Sequence, residues 1–322
     1  MKYDVVGMGE FLVDFACIRT NENGFPTMMG NPGGAVPNCL AAMQKRGIRT
    51  AFIAKVGNDA FGRLLLGTAE SAGINTDGVI VSDKYFTTLA FVTLDENGDR
   101  DFSFSRKYSA DIMMDYDEVD KSIIDQAAYF HVGSVSLTDE PSRTTTHRLV
   151  EYAESRGKII TSDPNLREPL WKDPEEAKNE ILWLISHTDI LKISDNEVEF
   201  LWGLSPEEGA RKILKEYRPK LVFVTCGAEG ALFANEKCSG RVESLPVQPV
   251  DTTGAGDIFG GTAVAQLIRC GKAPEELTEE ELRHITELAC AAASISTESY
   301  GGISSVPDEE TVLRRMQERK TS

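Results

Sequence analysis

Short apolar, β-branched runs recur along the whole chain, and stretches with helical spacing separate most of them. "YDVVGMG", "TAFIAKVG", "AYFHVG", "KIITSD", "DILKIS" and "KLVFVTCG" each read as a buried strand. Between them lie helical patterns. "GGAVPNCLAAMQKRG" ends at Gly47, and "DAFGRLLLGTAESAG" ends at Gly73. "PSRTTTHRLVEYAESRG" and "EVEFLWGLSPEEGARKILKEY" come later in the chain. Continuously apolar strands need cover on both faces, and parallel strands need crossovers of about this length. The alternation therefore predicts an α/β fold: a mainly parallel central sheet with helices on both faces.

One region breaks the rhythm. "FTTLAFVTLDENGDRDFSFSR", Phe86 to Arg106, reads as two alternating strands around "ENGD", a hairpin signal. "DFACIRTNENGFPTMM" near the N-terminus is a candidate for further extended structure. Together, roughly 11–31 and 86–108 predict a small β-sheet set apart from the main layer, suited to a lid, a dimer face or both. The whole chain, 1–322, is read as one domain carrying this discontinuous lid.

Composition narrows the partners. With 322 residues, 41% hydrophobic and 26% charged, the chain fits a water-soluble globular protein. A net charge of −17 argues against nucleic acid, whose backbone needs a basic surface. Six cysteines without a CxxC pair and four scattered histidines argue against zinc. The N-terminus lacks a signal-peptide layout, and no apolar run has the length of a membrane span. The expectation is a cytoplasmic protein with reduced thiols and no membrane partner.

In open α/β sheets ligands bind beyond the carboxyl ends of the strands, so the segments just past the strands matter most. "DTTGAGD", Asp251 to Asp257, precedes the helical "IFGGTAVAQLIRC". Gly254, Ala255 and Gly256 let the backbone approach a ligand closely, and the free N–H groups of a helix start make an anion site. Asp257 stands in the same turn, where it is expected to stay ionised and to accept a hydroxyl proton. An anion hole and a base in one turn suit phosphoryl transfer to an alcohol. No P-loop GxxxxGK[ST] occurs, and "GMGEFL" has Leu12 where a dinucleotide fingerprint needs a third glycine.

The string "DTTGAGD" resembles a signature of the PfkB family of carbohydrate kinases, the ribokinase-like family. "GGAVPNCLAAMQKRG" resembles the family's other signature, a Gly-Gly turn and helix that hold the sugar. The resemblance extends over nearly the whole chain and implies ATP and Mg²⁺, with K⁺ as a further expected ion. It assigns sugar binding to Asp14, Gly33, Gly34 and Asn38. "SDNEVE" resembles the family's NxxE motif, which puts Asn196 beside the nucleotide and Glu199 near magnesium through water; Ser194 and Glu197 separately have capping-box spacing. Lys192, Thr225, Gly227 and Gly230 are implied at the nucleotide. Asp251 and Thr253, with Ser296, Ser299, Gly301 and Ser305 of "STESYGGISSVP", are implied around a monovalent cation. One departure is Cys290 in "LACAAAS", where many relatives carry Asn near the adenine.

Three stretches refine the sugar. "FSFSRKYSAD", "HVGSVSL" and "SDPNLREPLW" resemble fructokinases. They imply substrate contacts by Arg106 from the lid and by Asp163, Asn165 and Arg167 beyond the strand "KIIT". The implied reaction is transfer of the γ-phosphoryl of Mg-ATP to the 6-hydroxyl of D-fructose, with Asp257 as base and Gly254 to Asp257 as anion hole. A kinase of 2-keto-3-deoxygluconate is the alternative, because an Arg also suits a carboxylate. A catalytically idle sugar-binding regulator is the reading from another class. An exposed lid edge implies a homodimer.

Overall fold

The computed structural model describes residues 1–94 and 100–321. Its strands are β1 (Val5–Met8), β2 (Leu12–Thr20), β3 (Pro26–Gly33), β4 (Thr50–Gly57), β5 (Asn75–Ser82), β6 (Thr88–Leu94), β7 (Arg100–Ser105), β8 (Tyr129–Gly133), β9 (Ile159–Asp163), β10 (Ile190–Ser194), β11 (Leu221–Thr225), β12 (Ala231–Asn235) and β13 (Ser239–Val242). The helices are α1 (Ala35–Gln44), α2 (Ala60–Ser71), α3 (Ser122–Asp125), α4 (Ser142–Ser155), α5 (Pro174–Ser186), α6 (Asp195–Trp202), α7 (Pro206–Glu216), α8 (Ala255–Cys270), α9 (Glu279–Ser296) and α10 (Glu309–Thr321).

Nine strands form the main sheet in the order β13-β12-β11-β10-β9-β8-β1-β4-β5. From β11 to β5 every pairing is parallel; β12 and β13 join antiparallel. This is the expected ribokinase-like α/β architecture. Successive strand residues feed opposite cores. In β11, Leu221 and Phe223 pack towards α8 and α9, while Val222 and Val224 pack towards α5, α6 and α7. That division, two packed layers on one sheet, is what continuously apolar strands require.

The second sheet has the order β3-β2-β6-β7. β2 pairs antiparallel with β3 and parallel with β6, and β6 pairs antiparallel with β7. Both extended regions read from the sequence thus meet in one small sheet. The "ENGD" turn lies outside the described residues.

The chain leaves β1 towards β4 and β5 on one side and returns at β8 on the other. Such a reversal opens a crevice at the strands' carboxyl ends. No helix among the described residues is long and apolar enough to cross a membrane, and all six cysteines are free thiols.

Candidate active site

A cavity of about 790 Å³ occupies that crevice. Its walls are strand ends and the loops just beyond them: Glu10 after β1, Val135 after β8, Asn165 and Arg167 after β9, Lys192 and Ser194 on β10, Thr225 at the end of β11 and Gly227 after it. The second sheet supplies Leu12, Asp14 and Phe104. Helix α1 supplies Ala35 and Asn38. The segment 252–257 supplies the floor.

Asp257 is nearly buried on that floor, in the first turn of α8. Gly254, the N-cap, has φ 77°, a left-handed conformation that glycine adopts without strain. Asn38 donates to one carboxylate oxygen (2.9 Å) and Asn165 to the other (3.0 Å). Both donors fix the carboxylate's plane and favour its charge. Burial outweighs them, aided by the nearby Asp163, and pushes Asp257 up to about 7. The expectation that Asp257 stays ionised is therefore corrected: near neutral pH its carboxyl divides between the two forms. Of the N–H groups expected in the anion hole, that of Ala255 is turned back on the Thr252 carbonyl (3.3 Å).

Lys192 stands beside this turn; a Cβ added to Gly256 would lie 2.9 Å from its Nζ. The ammonium donates to both oxygens of Asp163 (3.1 and 2.9 Å). Burial disfavours its charge, but Asp163, Glu197 and Asp257 together hold its pKa above the ordinary value. A permanent positive charge at a helix N-terminus strengthens an anion site.

On the second sheet's side of the cavity, burial pushes Asp14 up to about 6, opposed by Arg167. Gly33 packs directly on the Asp14 carboxylate, leaving no room for a side chain. Arg167 is exposed on the wall and pulls both Asp14 and Asp257 downward. One cation thus acts on both carboxyls.

The sequence model of the pfkB family of carbohydrate kinases matches residues 3–309. The chain belongs to that family. This carbohydrate kinase is 40% identical over 317 residues to fructokinase-1 of Zea mays, covering 96% of each chain. Its fold is similar to the crystal structure of fructokinase with bound ATP from Xylella fastidiosa (TM-score 0.90, 26% identity, 99% and 100% covered). It is also similar to fructokinase from Vibrio cholerae O395 in a form with fructose, ADP and calcium bound (TM-score 0.86, 29% identity, 98% and 99% covered).

Not every residue expected at the kinase's site reaches the cavity. Arg106 does not line it. Its Nε donates to Asp111 (2.7 Å), and its terminal nitrogens donate to Thr138 (2.5 Å) and the Val135 carbonyl (3.0 Å). A buried guanidinium needs these partners, and they hold it behind the wall. Asp163 likewise lies under the wall as the partner of Lys192. Gly230 is outside; its φ of 102° and the Val242 carbonyl packed against it give it a turn-forming role. Cys290 is buried in the core with Phe223, Phe233 and Phe259, its thiol pushed up to about 12 by burial. Glu199 borders an adjoining hollow that it shares with Asn196. Both side chains carry oxygen donors of the kind a hard divalent ion takes.

The two segments expected around a monovalent cation do meet. Asp251 accepts from the N–H of Gly301 (3.0 Å) and from Thr253 (3.0 and 2.7 Å). The Ser296 and Ser305 hydroxyls donate to the carbonyls of Ala293 and Gly302, and the Ser296 carbonyl accepts from Ser299 N–H (3.2 Å); carbonyl oxygens of this loop are the ligand type that fits a hard cation. Ser299 is exposed.

Two buried acids of the wall were not read as site residues from the sequence. Glu197 is the capping-box acid of α6, accepting from Ser194 N–H (2.7 Å), yet its other oxygen accepts from Leu166 N–H (2.6 Å) and so ties the β9 loop to α6. Glu10 is the other. Its position just past the first strand's carboxyl end was the signal that could have found it.

Proposed function

We propose that this kinase transfers the γ-phosphoryl group of ATP to the 6-hydroxyl of D-fructose. The observation that carries the reading is Asp257: a buried carboxylate at a helix start, aimed by two amides, with a lysine beside the same turn. The kinship with fructokinase-1 of Zea mays supports fructose as the sugar.

Asp257 would accept the proton of the attacking hydroxyl. The N–H groups of Gly254, Gly256 and Asp257 would stabilise charge on the phosphoryl in flight, with Lys192 adding a fixed positive charge. Asp14, Gly34 and Asn38 would hold the sugar, and Arg167 would face the anionic donor. Thr225 and Gly227 would border the nucleotide. Magnesium, when bound, neutralises phosphate charge; Asn196 and Glu199 would hold it, Glu199 through water. Asp251 and Thr253, with carbonyls of the 296–305 loop, would hold K⁺. The second sheet would close over the sugar and limit ATP hydrolysis. Its open edges, β3 and β7, favour a homodimer, and the free thiols fit a cytoplasmic, reducing setting.

The test is ADP release from Mg-ATP with K⁺ across fructose, 2-keto-3-deoxygluconate, ribose, adenosine and no sugar. Fructose-dependent turnover yielding fructose 6-phosphate is expected. Turnover with the keto-acid alone would reassign the substrate, and sugar binding without any turnover would replace the enzyme by a regulator.

A further inference from the structure

Among the described residues, two residues of the cavity wall each carry a buried acceptor without a hydrogen-bond donor: Glu10 at Oε2 and Asn38 at Oδ1. Asn38 belongs to the expected sugar site. Glu10 has no role assigned to it, and it is 4% exposed.

Its placement is built rather than incidental. Glu10 lies just past β1, the strand at the reversal of strand order, and its Oε1 accepts from the N–H of Ala35 (2.6 Å) at the start of α1. That bond locks the carboxyl and leaves the buried Oε2 of this wall residue without a hydrogen bond to any other described residue. A cap on α1 needs one oxygen only. An apolar or amide side chain could fill the space without an orphaned charge-bearing atom, and buried polar atoms normally find partners. A polyol brings hydroxyl donors to this wall. Asp14 stands close enough for the Glu10 carboxyl to raise its proton affinity. Two neighbouring carboxyls can take neighbouring hydroxyls of one sugar.

Resting on the fructokinase reading, we propose that Glu10 is a further sugar-binding residue. Its Oε2 accepts a hydrogen bond from a hydroxyl other than the one phosphorylated, and this contact contributes to sugar specificity.

Glu10→Gln tests this with least disturbance, because its amide oxygen still accepts from Ala35 while an NH₂ donor replaces Oε2. Full-length wild type and variant are compared by steady-state kinetics and calorimetric sugar binding. The sugars are fructose and a series of deoxyfructoses that keep the 6-hydroxyl. The variant is expected to raise Kd and KM for fructose about tenfold or more, as for a lost charged hydrogen bond. Its kcat and its KM for ATP should stay close to wild type. For the one analogue lacking the contacted hydroxyl, wild type and variant should bind alike. An unchanged fructose Kd, or the same penalty for every analogue, would overturn the proposal. If the variant does not fold, a crystal structure of wild type with fructose decides: Oε2 farther than about 3.5 Å from every sugar oxygen would overturn it. Wild-type turnover of fructose reports on the functional reading; the wild-type-to-variant ratio reports on Glu10.

Discussion

Asp257 has to be charged to take a proton, yet it sits where charge is costly. With its carboxyl at about 7 in the substrate-free site, kcat/KM for the sugar should fall about tenfold per pH unit on the acid side of neutrality, since that ratio reports the free enzyme. Asp257→Asn should lower kcat by roughly 10²–10⁴, and its residual rate should lose the acid limb. An acid limb that survives in the variant assigns the titration to another group. The same shift has a stability signature. A carboxyl raised above 3.8 by folding binds its proton more tightly in the native state, so this contribution to stability declines as pH rises from about 4 to 7 and is flat above. Thermal unfolding of Asp257→Asn should thus compare more favourably with wild type at pH 8 than at pH 5. At this scale the motif residues were legible, because Asn38 and Asp257 lie in signature strings. The surroundings that move the pKa were not. Asp163, Lys192 and Asn165 were each expected at the site, but their nearness to Asp257 was not legible, because all three are distant from it in sequence; likewise Arg106 meets Asp111 five residues on, but its partners Thr138 and Val135 come from a loop that only the fold brings near.

At the scale of elements, the proposed catalysis would depend on the distance between α1 and α8, since Asn38 rides on one and Asp257 on the other. Gly261 sets that distance: a Cβ there would collide with the Cys39 carbonyl and lie 2.8 Å from the Ala42 Cβ. Gly261→Ala should push the helices apart, costing about 1–3 kcal/mol of stability as overpacking and lowering kcat although no substrate touches the site. Unchanged melting and unchanged kcat together would show that the helices are not held at this spacing. Most strands and helices were readable because their apolar runs and glycine stops are local signals; Gly47 and Gly73, at positive φ, do come just after α1 and α2. Two features were not readable. The pattern from Glu197 to Tyr217 looks like one helix, but Gly203 takes a left-handed conformation and ends α6 before the Ser205 capping box starts α7. β5, "NTDGVIVS", joins the main sheet through pairing with β4 rather than through an unbroken apolar run.

At the scale of the molecule, the second sheet is four strands that depend on the main body for cover on one face and end in two open edges, β3 and β7. Unpaired edges invite strand addition, and large apolar side chains on and beside this sheet stand in solvent, Ile18 at 51% and Phe25 at 67% exposure. Pairing of two such sheets would cover both. Opposing it is a net charge of −17 on each chain, a repulsion that salt screens over about 8 Å at physiological ionic strength. Association should therefore tighten as salt is raised from low to physiological levels, the reverse of an interface built on opposite charges. Sedimentation velocity should give twice the 35.3 kDa chain mass, and Ile18→Glu should return the protein to monomer. If the sheet acts as a lid only when braced by its partner, the monomeric variant will also have a raised KM for fructose and faster ATP hydrolysis without sugar. A wild type that stays monomeric at every salt and protein concentration would leave the sheet as a lid alone and remove the dimer from the proposal.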